Sequence, residues 1–518
     1  SVATSDACPK RKVIALISLY IVENNGIRFL ASSLRSQGWR VIEIYFKDYQ
    51  HHHFTEPSDK EYALLSETLH REKVDLIGLS VRAGGYSKLA QSLSKKLRQE
   101  FNLPIIWGGM HVTMDPESAL NSCQGIIIGE GEDTIVELME ALEQQRSWQG
   151  IDGLWYKEAD GTIVRNAPRR LHNNLDDLPF RDFHSHESKY YINNNHLTSG
   201  DPYIDQTIYL MMSARGCLFN CSYCDISALR KSYKNLGQFY RVMSPERTVE
   251  ECVYAKQNFP NLRRFRFDDE LFCLRPEWVK KFCHLYRQQR IDLPFEILTD
   301  PRVVQKEILQ QLKDVGLDTV MMGIQHISAV NKRLYNREVS DQKVLEAGCI
   351  LHELDLKVCY QILLDDPHVT SQEKRQLFEL LAQLPRPYDL YLFSLSYWPQ
   401  TDITEHYLAD GTITPDQVEG RNDKCLKQFR VSLSWPRPAE DTFWYSIYTL
   451  LSKPVPLSFI KFLASSPYLQ SHPTPVRYLA QALNFSKLAL LAWQMLRRGE
   501  LTRDTLCRWV NLCSLPTS

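Results

Sequence analysis

The chain has 518 residues, with 61 Lys and Arg against 62 Asp and Glu, so its formal net charge is -1 and no overall field attracts nucleic acid or an anionic membrane. At about 150 residues per domain this length holds roughly three domains, with room for buried cofactors. The 13 cysteines are an odd number and residues 1–11 show no apolar leader, so we expect no disulfide framework and a reducing cytoplasmic location.

The first 150 residues alternate between apolar runs and helix-like periods. The runs typical of strands are residues 13–19, 41–46, 76–80, 105–107 and 125–128. The helical periods cover residues 27–36, 61–71, 87–100, 116–122 and 133–144. This alternation predicts an α/β fold with a doubly wound, Rossmann-like parallel sheet, whose ligand lies at the carboxyl ends of the strands.

Glycines and small polar residues collect where these predicted strands end. The candidate binding residues there are Ser80, Gly108, Gly109, His111, Gly129, Glu130 and Gly131. Glycine lets the backbone approach a ligand closely. The alternative is that the glycines only make turns, and that His111 is a hydrogen-bonded loop histidine.

Two of these strand ends carry a family resemblance. The stretches IIWGGMHVT at 105–113 and IIIGEGE at 126–132 resemble the cobalamin-binding domain that precedes many radical S-adenosylmethionine (SAM) cores. The resemblance covers about residues 1–150 and implies bound cobalamin. The sequence lacks Asp-x-His-x-x-Gly, by which other cobalamin proteins put a histidine on cobalt, so we expect no such ligand on the lower face. Ser80 and Arg82 would then lie under the corrin ring, unless Arg82 is simply a solvated loop residue.

Residues 151–205 contain Asp-Gly pairs at 152–153 and 160–161, which predict a small hairpin and then a connecting loop.

The next feature is a group of three cysteines, Cys217, Cys221 and Cys224, which follows a predicted strand. Three thiolates on one loop suit three irons of a cuboidal cluster, whereas a closed ferredoxin-type site needs four. The alternative is zinc, but zinc sites usually combine two Cys-x-x-Cys pairs, and the sequence has no second pair.

The Cys-x-x-x-Cys-x-x-Cys spacing, with Tyr223 before its last Cys, resembles the radical SAM superfamily. In that family the three cysteines hold a [4Fe-4S] cluster, and SAM chelates the open iron through its amino and carboxylate groups. One electron, from an external donor such as flavodoxin or ferredoxin, cleaves SAM to methionine and a 5′-deoxyadenosyl radical. The resemblance also places Tyr223 near the adenine.

Six strand–helix units are predicted between about residues 206 and 400. Their strand runs are residues 207–213, 264–267, 295–298, 319–323, 358–364 and 390–395. This repetition predicts a partial (β/α)6 TIM-type barrel, with its active residues at the carboxyl ends of the strands.

Polar residues near those strands are candidate SAM contacts. Asp268 and Asp269 end the second strand, where a carboxylate would bind the SAM amino group; the alternative is a turn cap. Arg302 and Glu296 are candidates for the SAM carboxylate and ribose, with a surface pair as the alternative. Gln325 stands where relatives show Gly-x-Glu-Ser, and it lacks the charge of that glutamate.

The last segment, 401–518, is rich in aromatic residues and predicts a mostly helical C-terminal domain, with helices near 441–451, 458–465 and 475–498. The apolar stretch 478–496 is interrupted by polar residues, which predicts an amphipathic helix and no membrane span.

Together the resemblances imply a cobalamin-dependent radical SAM C-methyltransferase that acts on an unactivated carbon through a 5′-deoxyadenosyl radical and methylcobalamin. The alternative is a cobalamin-dependent radical SAM cyclase or rearrangement enzyme without methyl transfer. A cobalamin sensor is disfavoured by the intact cysteine motif, and a methylthiotransferase by the lack of a second three-Cys set around Cys8 and Cys123. We expect a monomer with a small-molecule or peptide substrate and no nucleic-acid partner.

Overall fold

The computed structural model describes residues 11–48, 56–82, 84–418, 433 and 436–497. Its internal contacts divide the chain into two compact units. The first unit comprises residues 1–270, 277–294 and 396–427, and the second comprises residues 271–276, 295–395 and 428–518. Each unit is described by itself below.

A nine-stranded sheet is the centre of the first unit. Its strands are β1 (Val13–Leu19), β2 (Arg40–Phe46), β3 (Leu76–Ser80), β4 (Ile105–Gly108), β5 (Gly125–Ile127), β6 (Leu154–Lys157), β7 (Ile163–Arg165), β8 (Lys189–Asn193) and β9 (His196–Ser199). They are ordered β7-β6-β5-β4-β3-β1-β2-β8-β9, and all pairs from β5 to β8 are parallel. The parallel sheet predicted from the first 150 residues is thus confirmed.

Helices cover both faces of this sheet. They are α1 (Asn25–Ser36), α2 (Asp59–Glu72), α3 (Ser87–Glu100), α4 (Met110–Met114), α5 (Pro116–Leu120) and α6 (Glu132–Glu143). Successive residues of a strand point to opposite faces, so Ile17 packs in the core with α2 and α3, while Leu16 packs with α1 and α6. Two apolar cores on one sheet are the mark of a doubly wound fold.

Residues 151–205, treated above as a connector, contribute four strands to the sheet. β6 and β7 extend one edge as an antiparallel hairpin, β8 pairs in parallel with β2, and β9 pairs antiparallel with β8. Residues 166–188 connect the two edges, and at each edge a short hairpin adds the outermost strand.

A buried ion network ties this segment to the first helices and strands. Asp201 accepts two hydrogen bonds from the Arg28 guanidinium, at 2.6 and 2.9 Å, and lies 3.0 Å from the Lys189 ammonium. The side chains of all three residues and of Glu43, 3.8 Å from Lys189, are inaccessible to solvent. Burial alone would raise the pKa of Asp201, but the Arg28 and Lys189 charges lower it to about 2.

The remainder of the first unit holds the cysteine motif. Its strands are β10 (Ile208–Met211), paired in parallel with β13 (Arg264–Phe267), and β11 (Ala214–Arg215), paired antiparallel with β12 (Arg241–Val242). Its helices are α7 (Asp225–Ser232), α8 (Pro245–Asn258), α9 (Pro276–Gln288) and α14 (Asp402–Ala409).

The second unit continues the strand–helix alternation and then becomes helical. Four parallel strands, β14 (Phe295–Thr299), β15 (Leu317–Gln325), β16 (Lys357–Leu364) and β17 (Asp389–Ser394), pair in chain order. Helices α10 (Lys306–Lys313), α11 (Ser328–Arg333), α12 (Asp341–Glu353) and α13 (Ser371–Leu381) alternate with them. They are followed by α15 (Ala439–Leu451), α16 (Leu457–Ala464), α17 (Pro467–Ser471) and α18 (Thr474–Arg497), which confirm the helical C-terminal region.

Within the described ranges of both units, no helix has the length and apolarity needed to cross a bilayer.

Candidate functional site

A large cavity in the first unit opens at the carboxyl ends of β3, β4 and β5. Ser80, Gly108, Gly109, Gly129 and Gly131 line it, and the free space inside, including its mouth, is about 1480 Å³. The same cavity is lined by Gly216, at the start of the cysteine loop, and by Asp268 and Glu270, after β13. It therefore brings the strand-end residues predicted for cobalamin to the base of the predicted cluster loop.

The depth of this cavity comes from small residues and apolar walls. Leu16, Ile27, Ile106, Ile127 and Ile135 line its inner part, between the sheet and helices α1 and α6. In the middle of β3, a Cβ on Gly78 would lie 2.8 Å from a Leu16 methyl carbon, so a larger residue would require the Leu16 side chain to shift. A deep apolar slot with a polar mouth suits a large cofactor such as cobalamin.

The loops after β3 and β4 interlock, and glycine is required where they meet. Val81 N donates to Gly108 O at 2.8 Å, and His111 N donates to Val81 O at 3.2 Å. Gly109 has a φ of +112°, and a Cβ there would lie 2.8 Å from Val81 O. Gly109 therefore allows the backbones of these two loops to pass close to each other at the cavity wall.

Ser80 is held by a side chain from α1. Asn24 caps α1 by accepting from Ile27 N at 3.2 Å, and its amide donates to Ser18 Oγ and Ser80 Oγ, both at 2.9 Å. Since Asn24 fixes its hydroxyl, Ser80 presents one orientation to the cavity.

The turn after β5 contacts the segment that follows the cysteines. Glu130 N donates to Tyr233 Oη at 2.7 Å, and Gly129 N donates to Thr113 Oγ1 at 2.9 Å. A Cβ on Gly129, whose φ is +80°, would overlap the Tyr233 hydroxyl at 1.9 Å. Gly129 is therefore needed for this packing of two loops.

Glu130 and Glu132 pair with the two arginines that flank the cysteine loop. Arg215 and Arg241 are opposite residues of the β11–β12 ladder. Glu130 contacts Arg241 at 2.5 and 3.0 Å and Arg215 at 3.3 Å, and Glu132 contacts Arg215 at 2.6 Å. Burial alone would raise the pKa of Glu130, yet the hydrogen bonds and charges of Arg241 and Arg215 lower it. The two carboxylates thus neutralise adjacent buried cations beside the cluster loop.

Cys217, Cys221 and Cys224 lie on the loop between β11 and α7, and Cys224 is the N-cap residue of α7. Arg230 of α7 fixes the loop by donating to Phe219 O at 3.0 Å and to Cys217 O. Ile403 N, at the start of α14, donates to Ser222 O at 3.0 Å. The loop is therefore held at both ends before any metal binds.

The cysteine loop supplies the donor set of an iron–sulfur cluster, and no group of His, Cys, Asp and Glu among the described residues is arranged to hold a single metal ion instead. Burial raises the pKa of Cys217 to about 11 and that of Cys224 well above its ordinary value. The charges of Glu270 and of Cys221 act in the same direction on both thiols. Thiols in this surrounding stay protonated until a strongly cationic group displaces their protons, and cluster irons are such a group.

Three acidic residues follow β13, and they have different surroundings. Asp269 is buried and accepts from Ala214 N at 2.7 Å and from Ser213 Oγ, so it holds the strand just before the cysteine loop. Asp268 and Glu270 line the cavity instead. The side chain of Glu270 is exposed at the cavity mouth, yet desolvation by the surrounding protein and the charges of Asp225, Asp268 and Asp269 raise its pKa to about 7. A cation such as the SAM amino group would relieve that repulsion, so the pair fits this ligand.

Three further residues that were predicted to contact cobalamin or SAM also lie in the first unit. Arg82 is exposed on the loop after β3, and Tyr223 is half-buried on the cysteine loop. His111 lies on α4, where burial lowers its pKa against the opposing charge of Asp115. None of the described residues that line the cavity is a histidine.

Three predicted SAM contacts belong to the second unit. Arg302 makes two parallel hydrogen bonds to Asp300, both 2.8 Å long, and Asp300 also pairs with Arg337 at 2.7 Å. Glu296 is half-buried on β14, and Gln325 ends β15 with a φ of +65° beside a register shift. Arg302 thus has an internal, mostly buried carboxylate partner.

Sequence reasoning missed Arg215, Arg241, Tyr233 and Glu270 as site residues. Arg215 directly precedes Gly216-Cys217, and Glu270 directly follows the two predicted aspartates, so both positions carried a signal. Tyr233 and Arg241 carried no local signal, because their role comes from contact with a turn about 100 residues away.

Comparison with known families agrees with both halves of this site. A model described as the B12 binding domain matches residues 11–139, and a model of the radical SAM superfamily matches residues 211–381. The boundaries enclose, respectively, the strand ends of the cavity and the cysteine loop with the strands that follow it.

The curated relatives are distant. An uncharacterised methyltransferase of Pyrococcus horikoshii is 23% identical over 68% of this chain and 74% of its own length. The hopanoid C-3 methylase of Methylococcus capsulatus is 25% identical over 52% of this chain and 47% of its own length. An anaerobic magnesium-protoporphyrin IX monomethyl ester cyclase of Rubrivivax gelatinosus is 22% identical over 61% of this chain and 56% of its own length.

Two solved structures share the fold. The radical SAM methyltransferase TsrM from Kitasatospora setae, with cobalamin and a [4Fe-4S] cluster bound, aligns over 91% of this chain and 99% of its own, with a TM-score of 0.63 and 14% identity. The cobalamin-dependent radical enzyme OxsB, with aqua-cobalamin and SAM bound, aligns over 97% of this chain and 83% of its own, with a TM-score of 0.63 and 16% identity.

Proposed function

We propose that this chain, which belongs to the cobalamin-dependent radical SAM enzymes, is a C-methyltransferase that acts on an unactivated carbon of a small molecule or peptide. The observation that carries the proposal is the cavity of the first unit. Its walls combine the glycine-rich strand ends with the base of the cysteine loop and the carboxylates of Asp268 and Glu270. A methyl carrier and a radical source bound there would act on the same substrate atom.

This geometry suits the chemistry of an unactivated carbon. When bound, the cluster supplies the electron that cleaves SAM, and cobalamin carries the methyl group. Such a carbon is a poor nucleophile, so a hydrogen atom has to be removed before the carbon can accept a methyl group. Positioning both reagents against one atom removes the entropy cost of separate encounters.

The chain's own residues hold and orient the reactants. Cys217, Cys221 and Cys224 bind three irons and leave the fourth for SAM. Asp268 and Glu270 attract the SAM amino group. Arg215 and Arg241, paired with Glu130, fix the cysteine loop against the strand ends.

The test is the carbon and cofactor balance of anaerobic turnover. We expect SAM with a deuterated methyl group to add one labelled methyl to the product, with 5′-deoxyadenosine and S-adenosylhomocysteine released in near-equal amounts. S-adenosylhomocysteine formed with product but without 5′-deoxyadenosine would mean that the substrate carbon is nucleophilic and that the radical route is wrong. Asp268→Ala should suppress 5′-deoxyadenosine while cobalamin stays bound.

Cyclisation or rearrangement without methyl transfer is the second candidate, because the cyclase of Rubrivivax gelatinosus aligns over 61% of this chain. Product mass separates the two functions: methyl transfer adds one carbon, and cyclisation adds none. If 5′-deoxyadenosine forms and no product carries the label, the cyclase function replaces the methyltransferase.

The conditions of activity are part of the proposal. We infer a monomer in a reducing cytoplasm that takes its electron from a small donor such as flavodoxin or ferredoxin. Sedimentation at several concentrations tests the monomer. Turnover with reduced flavodoxin in place of a chemical reductant tests the donor.

A further inference from the structure

We propose that helices α16 and α18 of the second unit form a docking surface for an anionic lipid membrane. Large apolar side chains that face solvent are concentrated there. Ten such side chains occur among the described residues, and seven of them lie between residues 459 and 493. They are Phe459, Phe462, Tyr468, Tyr478, Phe485, Leu490 and Trp493. We call this set the aromatic surface.

On α18 the aromatic side chains form a stripe that faces away from the core. Among the side chains of this helix that the structure describes, Val476 and Ala480 are buried. Tyr478, Phe485 and Trp493 follow one another at seven and eight residues, spacings that keep them on one face, and each is between 49% and 60% exposed. The solvent face of this helix is therefore apolar, the reverse of an ordinary surface helix.

Helix α16 repeats the arrangement. Ile460 and Leu463 are buried, whereas Phe459 and Phe462 are exposed and their rings lie 6.5 Å apart in a stacked arrangement. Two exposed phenylalanines side by side hide little of each other from water. Their exposure is costly in solution and is relieved if the rings enter a headgroup region.

The charge of this segment favours an anionic partner. Residues 442–499 contain no Asp or Glu and six basic residues, in a chain whose formal net charge is -1. Of these six basic residues, Lys461 and Arg497 are exposed, Arg477 is half-buried and Lys453 is buried, while the side chains of Lys487 and Arg498 lie outside the described ones. The nearest acids on either side are Glu440 and Asp441, which share one partner, Lys374, at 3.5 and 2.6 Å, and Glu500.

Basic and aromatic groups are also paired in the way that suits a membrane interface. The Arg497 guanidinium lies over the Trp493 ring at 4.1 Å, and that of Arg477 lies over Tyr478 at 5.2 Å. Such side chains can keep their charge at phosphate level while the ring enters the acyl boundary. A second copy of the chain would present the same positive charge and be repelled, so lipid is the occupant that the charges favour.

Vesicle binding by the full chain tests the surface. We expect co-sedimentation with vesicles of phosphatidylcholine and phosphatidylglycerol at low salt, weakening as salt is raised, and little with phosphatidylcholine alone. Replacing Tyr478, Phe485 and Trp493 by Ser should weaken binding about tenfold or more. The matched control is Ile208→Ser with Leu408→Ser, which removes exposed apolar side chains elsewhere and should bind like the parent.

Two further variants make the result decisive. Phe459→Ser with Phe462→Ser should weaken binding independently, which covers the case in which the α18 variant folds poorly. Lys461→Gln with Arg497→Gln should reduce the preference for phosphatidylglycerol. Absence of binding by the parent chain, or equal binding by the Ser variants, overturns the proposal. A concentration-dependent dimer that the Ser variants abolish, without vesicle binding, would assign the surface to a second copy.

Discussion

Glu130 lines the cofactor cavity and also acts through the arginines beside it. Its carboxylate, 20% exposed, lies between Arg241 and Arg215, whose side chains are more buried still. A buried guanidinium without a counter-charge is unstable. The glutamate of the turn after β5 therefore keeps two arginines in place beside the cysteine loop.

Glu130→Gln should destabilise the first unit by about 2–3 kcal/mol, because it leaves Arg241 buried with an uncharged partner. The matched control is Glu137→Gln on helix α6, whose carboxylate also pairs with an arginine, Arg169, at 2.7 Å but is 44% exposed. An exposed pair contributes little, so this control should cost under about 1 kcal/mol. Chemical denaturation of the two variants measures the difference.

The pH dependence of that difference has a definite sign. The pKa of Glu130 is lower in the folded chain than its ordinary value of 4.5. Its contribution to stability is therefore complete above pH 4.5 and is lost as the pH falls toward the lower folded pKa. The gap between the parent chain and Glu130→Gln should close in that acid range. A gap that stays constant down to the acid transition would contradict the ion-pair role.

Some site residues follow from the sequence and others do not, for physical reasons. Cys217, Cys221 and Cys224 share one loop, so their chemistry can be read from spacing alone. Gly109 and Gly129 could be picked out as strand-end glycines, and the structure supplies the contacts that require them, at Val81 and Tyr233. Glu130 could be located but not interpreted, because its partners are more than 80 residues away in the sequence.

At the scale of elements, strands β6 to β9 join the segment 151–205 to the first sheet. β6 pairs with β5 and β8 pairs with β2, so hydrogen-bond ladders connect residues on both sides of position 150. The Arg28–Asp201 pair adds a buried ionic contact across the same boundary. A break in the backbone near residue 150 should therefore leave these contacts intact.

A protease site inserted between Arg146 and Ser147, which are exposed, tests this. After cleavage we expect both pieces to elute together in size exclusion under native conditions and to separate only in denaturant. Free elution of the N-terminal piece would mean that the first 150 residues are an independent domain.

The strands of the first 130 residues were predictable because each is an apolar run long enough to be recognised alone. β8 and β9 were not, because β8, with the sequence KYYIN, begins and ends on polar residues and is recognised as a strand through its pairing with β2. The α18 helix was predicted as amphipathic, yet its apolar stripe faces solvent, which periodicity cannot reveal.

For the whole molecule, the distribution of cysteines predicts one cluster per chain. Thirteen cysteines are present, but the three of the motif are the only ones grouped by sequence. We expect about four irons per chain after anaerobic reconstitution. Replacing Cys217, Cys221 and Cys224 together by Ala should abolish the bound iron.

The control for this measurement is Cys349→Ser with Cys359→Ser, which removes two other thiols of the described chain. It should keep the iron content of the parent. Full iron retention in the triple Ala variant would show that the metal is bound elsewhere and would remove the basis for the radical chemistry.

The two ends of the nine-stranded sheet have a consequence for solubility. Its terminal strands are short, with three residues in β7 and four in β9, and Asn194 and Asn195, both at positive φ, make the tight turn from β8 to β9. A parallel strand left bare at an edge would offer its free amides and carbonyls to a neighbouring chain, and such edges seed aggregation. Deleting residues 194–199 would uncover β8, and the protein should then precipitate on concentration even where its cofactor sites are unchanged.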